Sequence, residues 1–261
     1  MEFIGILRWL YELGRVDILH ETALLSQYMA SPRIGHFEQL LNIFKYIKGH
    51  KNRNWLVFDP MSFDVDWTPM KNESTPAERA DILAEMYPDA EDETPYNAPA
   101  PRGEAVDINC FVDSDHAGNK VTRRSHTGLI IYINMAPIIW LSKKQNTVEA
   151  STFGSEFIAM RAAVEQVDSL RYKLRMLGVP LRREARIFCD NDSVVKNCTF
   201  PESVLKKKHC SICYHLVRET VAARKALIFY ERTASNIADL FTKVLPPHKR
   251  EPLVTAIMCG S

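Results

Sequence analysis

No run of the 261 residues is long and apolar enough to span a membrane. The N-terminal MEFIGILRWLYELGRVD lacks a basic leader and is broken by Arg8, Glu12 and Arg15. A secretory signal peptide is therefore not expected. Glycine is sparse, at 10 residues, and none of it builds a phosphate-cradling loop. No Ser-His-Asp order and no internal repeat is present. The six cysteines (110, 189, 198, 210, 213 and 259) are scattered, several within apolar runs. That distribution favours reduced, buried thiols in an intracellular protein over a disulfide framework. HCSICYH at 209–215 puts Cys210 and Cys213 one helical turn apart, but structural zinc takes four ligands and no second pair exists. These thiols are expected to face a core.

What is present is an ordinary globular composition, 46% hydrophobic and 25% charged, of a size for one large domain or two small ones. The net charge of +1 hides an asymmetry. Between Asp59 and Glu104 there are 12 acidic against 3 basic residues, which leaves 30 basic against 20 acidic elsewhere. A basic body with an acidic connector points to a polyanionic partner, of which nucleic acid is the natural candidate.

Three regions follow from the patterning. Residues 1–58 read as helices, with Phe37, Leu40, Leu41, Ile43, Phe44 and Ile47 on one apolar face and much hydrophobic surface left over for a larger neighbour. Residues 59–104 form an acidic, Pro-rich connector, in which Thr75 and Glu78 have the spacing of a capping box for a short helix. From 105 to 246, DINCFVD reads as a strand, GLIIYIN and PIIWLSK as a hairpin about 134–136, and 150–178 as a long helix. RIFCD and ALIFYER read as further strands, SVVKN and KKHCSICYHLVRETVAA as helices, and SNIADLFTKVL as a final helix. Residues 247–261 are left as a tail. The order predicts an α/β fold, a five-stranded mixed sheet flanked by helices. Trp140 and LIIYIN are expected in the sheet core.

Four acids occupy unusual positions. NCFVD ends on Asp113 and RIFCD on Asp190, and parallel neighbouring strands would set these ends side by side at the edge where α/β sheets bind ligands. In the long helix, Phe153, Phe157, Met160, Val164 and Val167 mark the buried face, and Glu156 projects within roughly 20° of Val167. Asp239 lies among Ile237, Leu240 and Phe241. Each alone has a structural explanation as a cap or a surface ion pair. Clustered carboxylates repel unless cations neutralise them, and hard oxygen donors suit Mg²⁺ or Mn²⁺. Two such ions about 4 Å apart suit phosphodiester hydrolysis.

FVDSDHAGNKVTRRSHTG, PIIWLSKKQNTVEASTFGSEFIAM, IFCDNDSVV, KKKHCSICYHLVRE and SNIADLFTKVLP occur in this order. Together they resemble the ribonuclease H region of copia-type (pseudovirus) retrotransposon polyproteins, over about residues 105–246. ALLSQYMASPRIGHFEQLLNIFKYIKGH resembles the C-terminal end of the reverse transcriptase in the same polyproteins, without the polymerase's catalytic Asp-Asp motif. The resemblance implies a ribonuclease H-like fold that cleaves the RNA strand of RNA–DNA hybrids with two Mg²⁺ (or Mn²⁺). It implies Asp113, Glu156, Asp190 and Asp239 as catalytic metal ligands, with Asp115 of DSD as an alternative to Asp113. The expected partners are the hybrid and the polymerase part of the polyprotein, and the expected location is cytoplasmic, in virus-like particles, or nuclear. The loop ERTASN departs from many cellular relatives in having no histidine, and His209 and His215 lie too early to match it.

Substrate contacts are expected from Lys120, Arg123, Arg124, Lys143, Lys144 and Lys208 to phosphates, and from Asn191 and Ser193 to ribose 2′-hydroxyls. The rival reading is a catalytically silent remnant that binds nucleic acid or protein. An integrase-type strand transferase fits less well, because its Asp, Asp, Glu order differs from Asp, Glu, Asp, Asp here.

Overall fold

The stretch INCFVDS, buried at every position, is the middle strand of a sheet in the computed structural model, which describes residues 2–51, 55–58, 74–205 and 210–259. In chain order the elements begin with α1 (Glu2–Glu12), α2 (Leu19–Ser26), α3 (Ile34–Gly49), β1 (Trp55–Leu56) and α4 (Pro76–Met86). Then come β2 (Ile108–Ser114), β3 (His126–Ile133), β4 (Ala136–Lys144), α5 (Thr152–Met176), β5 (Ala185–Cys189) and α6 (Asp192–Thr199). The chain closes with α7 (Ser211–Ala222), β6 (Ala226–Tyr230), a 3₁₀ turn at Ile237–Phe241, α8 (Pro247–Ile257) and β7 (Met258–Cys259).

The main sheet runs β4-β3-β2-β5-β6. The pairs β2–β3 and β3–β4 are antiparallel, and β2–β5 and β5–β6 are parallel. This is the expected mixed five-stranded sheet of a ribonuclease H-like fold. Because both faces are covered, its middle strands are buried along almost their whole length rather than at alternate positions. Cys110, Val112, Ile187 and Cys189 pack under α5 and α7, while Phe111, Ile130 and Phe188 pack under the 3₁₀ turn and α8. Asn134, at φ 53°, starts the tight turn between β3 and β4, a conformation asparagine tolerates well.

The capping box at Thr75 and Glu78 is present, and α4 buries Ala80 and Leu83 against the main core. Further along the acidic connector, Asp92 receives hydrogen bonds from Arg171 and from Arg175, the latter at 2.5 and 2.8 Å. Val16 and Leu19 join the core under the 3₁₀ turn, and half-buried Trp140 donates from Nε1 to the carbonyl of Tyr11 at 3.0 Å. The short strands β1 and β7 pair antiparallel, so residues 55–56 meet 258–259. Trp9, Leu13 and Ile34 on the outer helices remain exposed.

The short strands β1 and β7 lie in segments expected to be helical and a tail, and the final helix also differs from expectation. SNIADLFTKVL is not a full helix, because only Ile237–Phe241 turns, as 3₁₀. Pro246 and Pro247 lack N–H donors and push the preceding residue toward extended backbone, so no helix can run on through them. The last α-helix is instead α8, within the segment read as a tail, started by Pro247 at its first position.

Candidate metal centre

The parallel register pairs Val112 with Cys189, so the next residues, Asp113 and Asp190, stand side by side at the carboxyl edge of the sheet. Glu156 reaches the same point from the second turn of α5. The helix start is set by Ser151, whose side chain accepts from Gly154 N. Gln145 ties it to the sheet by donating to Ser155 O at 2.9 Å and to Thr127 Oγ1 at 3.0 Å. Asp239 arrives on the 3₁₀ turn. Asn236, fully buried, holds that turn by donating to Val112 O at 3.1 Å and accepting from Ala238 N at 3.1 Å.

Ligand oxygens of Asp113, Asp190 and Asp239 lie within 4.8 Å of one another, and ligand atoms of Glu156, Cys189 and Asp190 do the same. Three of the four predicted acids thus form one triad, and the fourth, Glu156, meets Asp190 in a second that is completed by the Cys189 thiol. Asp113, Glu156 and Asp239 are buried. Burial, then the neighbouring charges of Asp113 and Asp190, pushes the Glu156 carboxyl up to about 9. Burial and then Asp113 push Asp239 up to about 7, against the opposing pull of Lys243. Asp190 is also raised by burial and Asp113, with a hydrogen bond from Thr233 opposing.

Two buried oxygens, Asp113 Oδ1 and Glu156 Oε2, have no hydrogen-bond partner among the described residues. Unpartnered buried carboxylate oxygens are costly unless a cation meets them. All four acids offer hard oxygen donors, so the donor set fits Mg²⁺ or Mn²⁺.

Asp115, the alternative to Asp113, joins neither triad. Its Oδ1 accepts the backbone N–H of His126, which closes the start of the loop after β2.

Two residues escaped the sequence reading. Thr242 donates its hydroxyl to Asp113 Oδ2. Lys243 places Nζ 2.7 Å from Asp239 Oδ1 and 3.1 Å from Asp113 Oδ2. The four-residue step from Asp239 to Lys243 was the available signal.

The expected substrate contacts share the acids' end of the sheet. Lys143 and Lys144 end β4 opposite Thr127 and His126, while Lys120, Arg123 and Arg124 lie in the loop that leaves β2. Lys120, Arg123 and Lys143 are exposed, and Arg124 and Lys144 are half-buried. Asn191 caps α6, its Oδ1 accepting from Val194 N at 3.2 Å, and Ser193 is exposed beside it. Lys208, with Lys206, Lys207 and His209, lies outside the described residues. Cys110, Cys189, Cys198 and Cys210 are buried and outside any disulfide, and Cys213 is half-buried. No described helix is long and apolar enough to cross a membrane.

A five-stranded mixed sheet in this order, flanked by helices, is a ribonuclease H-like fold. The chain's homologues are retrovirus-related Pol polyproteins of plant retrotransposons. The chain is 26% identical over 246 residues to that of transposon RE1 of Arabidopsis thaliana, covering 94% of this chain and 14% of the relative. It is 24% identical over 248 residues to that of transposon TNT 1-94 of Nicotiana tabacum, covering 95% of this chain and 15% of the relative. The chain therefore spans about a seventh of the curated relatives it matches. Among solved structures, RNase H1 from Halobacterium salinarum is 15% identical, with 52% of this chain and 93% of that one covered at a TM-score of 0.41. No protein-family model matches the chain.

Proposed function

We propose that the chain is a metal-dependent endonuclease that hydrolyses the RNA strand of RNA–DNA hybrids during retrotransposon reverse transcription. The observation that carries this reading is the convergence of Asp113, Glu156, Asp190 and Asp239 at one sheet edge, with buried oxygens left unpartnered. In this reading those four acids hold two Mg²⁺ or Mn²⁺ ions. The chemistry the ions supply when bound is activation of a water and stabilisation of the oxygen that leaves phosphorus.

The residues of the chain do the rest. Asp190 belongs to both groups and would be the ligand shared by the two ions. Thr242 fixes the Asp113 carboxylate, and Asn236 fixes the turn that carries Asp239. Lys120, Arg123, Arg124, Lys143 and Lys144 attract the phosphate backbone to an edge that would otherwise repel it. In this reading Asn191 and Ser193 are the contacts to ribose hydroxyls, the feature that separates RNA from DNA. Residues 1–58 are read as the C-terminal end of a reverse transcriptase, 59–104 as the connector and 105–246 as the nuclease domain. The polymerase part of such a polyprotein is the expected protein partner.

The test is cleavage of a labelled RNA–DNA hybrid by the purified chain with Mg²⁺. Wild type should nick only the RNA strand, and Asp190→Asn should reduce the rate by at least about a hundredfold, as expected when a charge-stabilising group is lost. Equal behaviour of the two proteins would remove the enzyme reading. Metal-independent hybrid binding without cleavage would favour the silent remnant.

A further inference from the structure

The acidic centre already contains a cation. Lys243 Nζ sits between Asp239 and Asp113, at 2.7 and 3.1 Å, and its side chain is 37% exposed. We infer that Lys243 is a built-in counter-ion, which neutralises the carboxylate centre when divalent ions are absent and is displaced when they bind. Metal binding is then an exchange of cations rather than the filling of an open pit. The inference rests on the metal-dependent reading above.

Three features of the site support exchange over a permanent ion pair. A single ammonium reaches only two of the four acids, and it leaves Asp113 Oδ1 and Glu156 Oε2 without partners. Two divalent ions carry four positive charges and could satisfy every acid, so they outmatch one ammonium at the same place. The lysine can also leave without unmaking the turn. Its flexible four-carbon stem is partly in solvent, whereas the groups that hold the turn, Asn236 and Thr242, are buried. Their bonds to Val112 O and to the Asp113 carboxylate keep the acids in place as the ammonium swings out. Once displaced, the charge stands at the mouth of the site, where an approaching phosphate would meet it.

Two measurements on the full chain test this. The first is reductive methylation of the wild-type protein, with and without saturating Mn²⁺, read by mass spectrometry at each lysine. Labelling of Lys243 should rise several-fold when Mn²⁺ is present, while the surface Lys120 and Lys143 stay level. The second is Mn²⁺ binding followed by electron paramagnetic resonance. Lys243→Met should bind Mn²⁺ about tenfold more tightly than wild type, equivalent to about 1.4 kcal/mol, and Lys243→Arg should stay close to wild type.

Unchanged Lys243 labelling overturns the inference, and so does equal or weaker Mn²⁺ binding by Lys243→Met. If Asp190→Asn still abolishes binding in that case, the metal reading survives without the exchange. Should neither wild type nor Lys243→Met bind Mn²⁺, the metal-dependent reading falls and the exchange with it. If Lys243→Met does not fold, the labelling of the wild-type protein decides.

Discussion

Gly128 lies directly across the β2–β3 pair from Asp113, and the 3₁₀ turn that carries Asp239 lies over its missing side chain. A methyl group at Gly128 would come within 2.6 Å of Thr242 Cγ2, 2.8 Å of Phe241 Cβ and 3.0 Å of Ala238 O. The turn rests on the strand at glycine's closest approach, and this places Asp239 and Thr242 beside Asp113. Gly128→Ala should therefore push the turn off the sheet, costing about 1–3 kcal/mol of stability as over-packing typically does. It should also weaken Mn²⁺ binding, although no ligand is altered. Denaturant unfolding and a Mn²⁺ titration of the same variant check both effects, and normal metal affinity would show that the turn's position is not set here.

The raised carboxyl groups give the metal-free protein a definite dependence on pH. Glu156, held at about 9 against an ordinary 4.5, and Asp239, at about 7 against 3.8, keep protons in the fold that the unfolded chain has released. The folded state thus binds more protons over that range, and stability is full below the ordinary values and lost as pH rises through 7 and then 9. His20 and His126, both lowered to about 4 chiefly by burial, act oppositely. Their contribution is fully present above the ordinary 6.5, so they add no slope there. The melting temperature of metal-stripped protein should fall between about pH 6.5 and pH 9, and saturating Mn²⁺ should flatten that slope because it binds the deprotonated acids. A melting temperature that is flat or rising without metal would show that Glu156 and Asp239 do not keep their protons in the fold.

A third expectation concerns Gln27, at the end of α2, which bridges the N-terminal helices to the basic loop. Its Oε1 accepts from Asn119 Nδ2 at 2.9 Å, and its Nε2 lies 2.9 Å from His126 Nε2. Asn119 in turn accepts from the backbone N–H groups of Val121 and Thr122, which shapes the loop bearing Lys120, Arg123 and Arg124. Gln27→Ala strands these buried partners, at a typical cost of about 1–3 kcal/mol. Hybrid affinity should drop several-fold while Mn²⁺ affinity stays unchanged. Fluorescence anisotropy with a labelled hybrid, with Ca²⁺ in place of Mg²⁺, reads the first. Loss of metal binding as well would mean that Gln27 supports the whole sheet edge rather than the loop.

The strands were legible because both-face burial writes them as short runs without polar alternation, as in CFV of NCFVD and IFC of RIFCD. The capping box at Thr75 was legible because its chemistry is local. Glu156 could be placed by helical projection, since α5 is long and regular. Lys243 was not, because its role depends on how a five-residue turn packs across Gly128, a contact more than a hundred positions away in sequence. The same holds for Gln27, whose partners Asn119 and His126 are 92 and 99 residues distant. A stop before residue 246 was readable in principle from Pro246 and Pro247, but the end of the turn at Phe241 was not.

The most direct measurement is crystallographic: Mn²⁺ soaked into crystals of the full chain, with its anomalous signal mapped. Two peaks are predicted, one ligated by Asp113, Asp190 and Asp239 and one by Asp190 and Glu156, with the ammonium of Lys243 moved away from Asp113. A map without anomalous density among these four carboxylates at saturating Mn²⁺ would contradict the account.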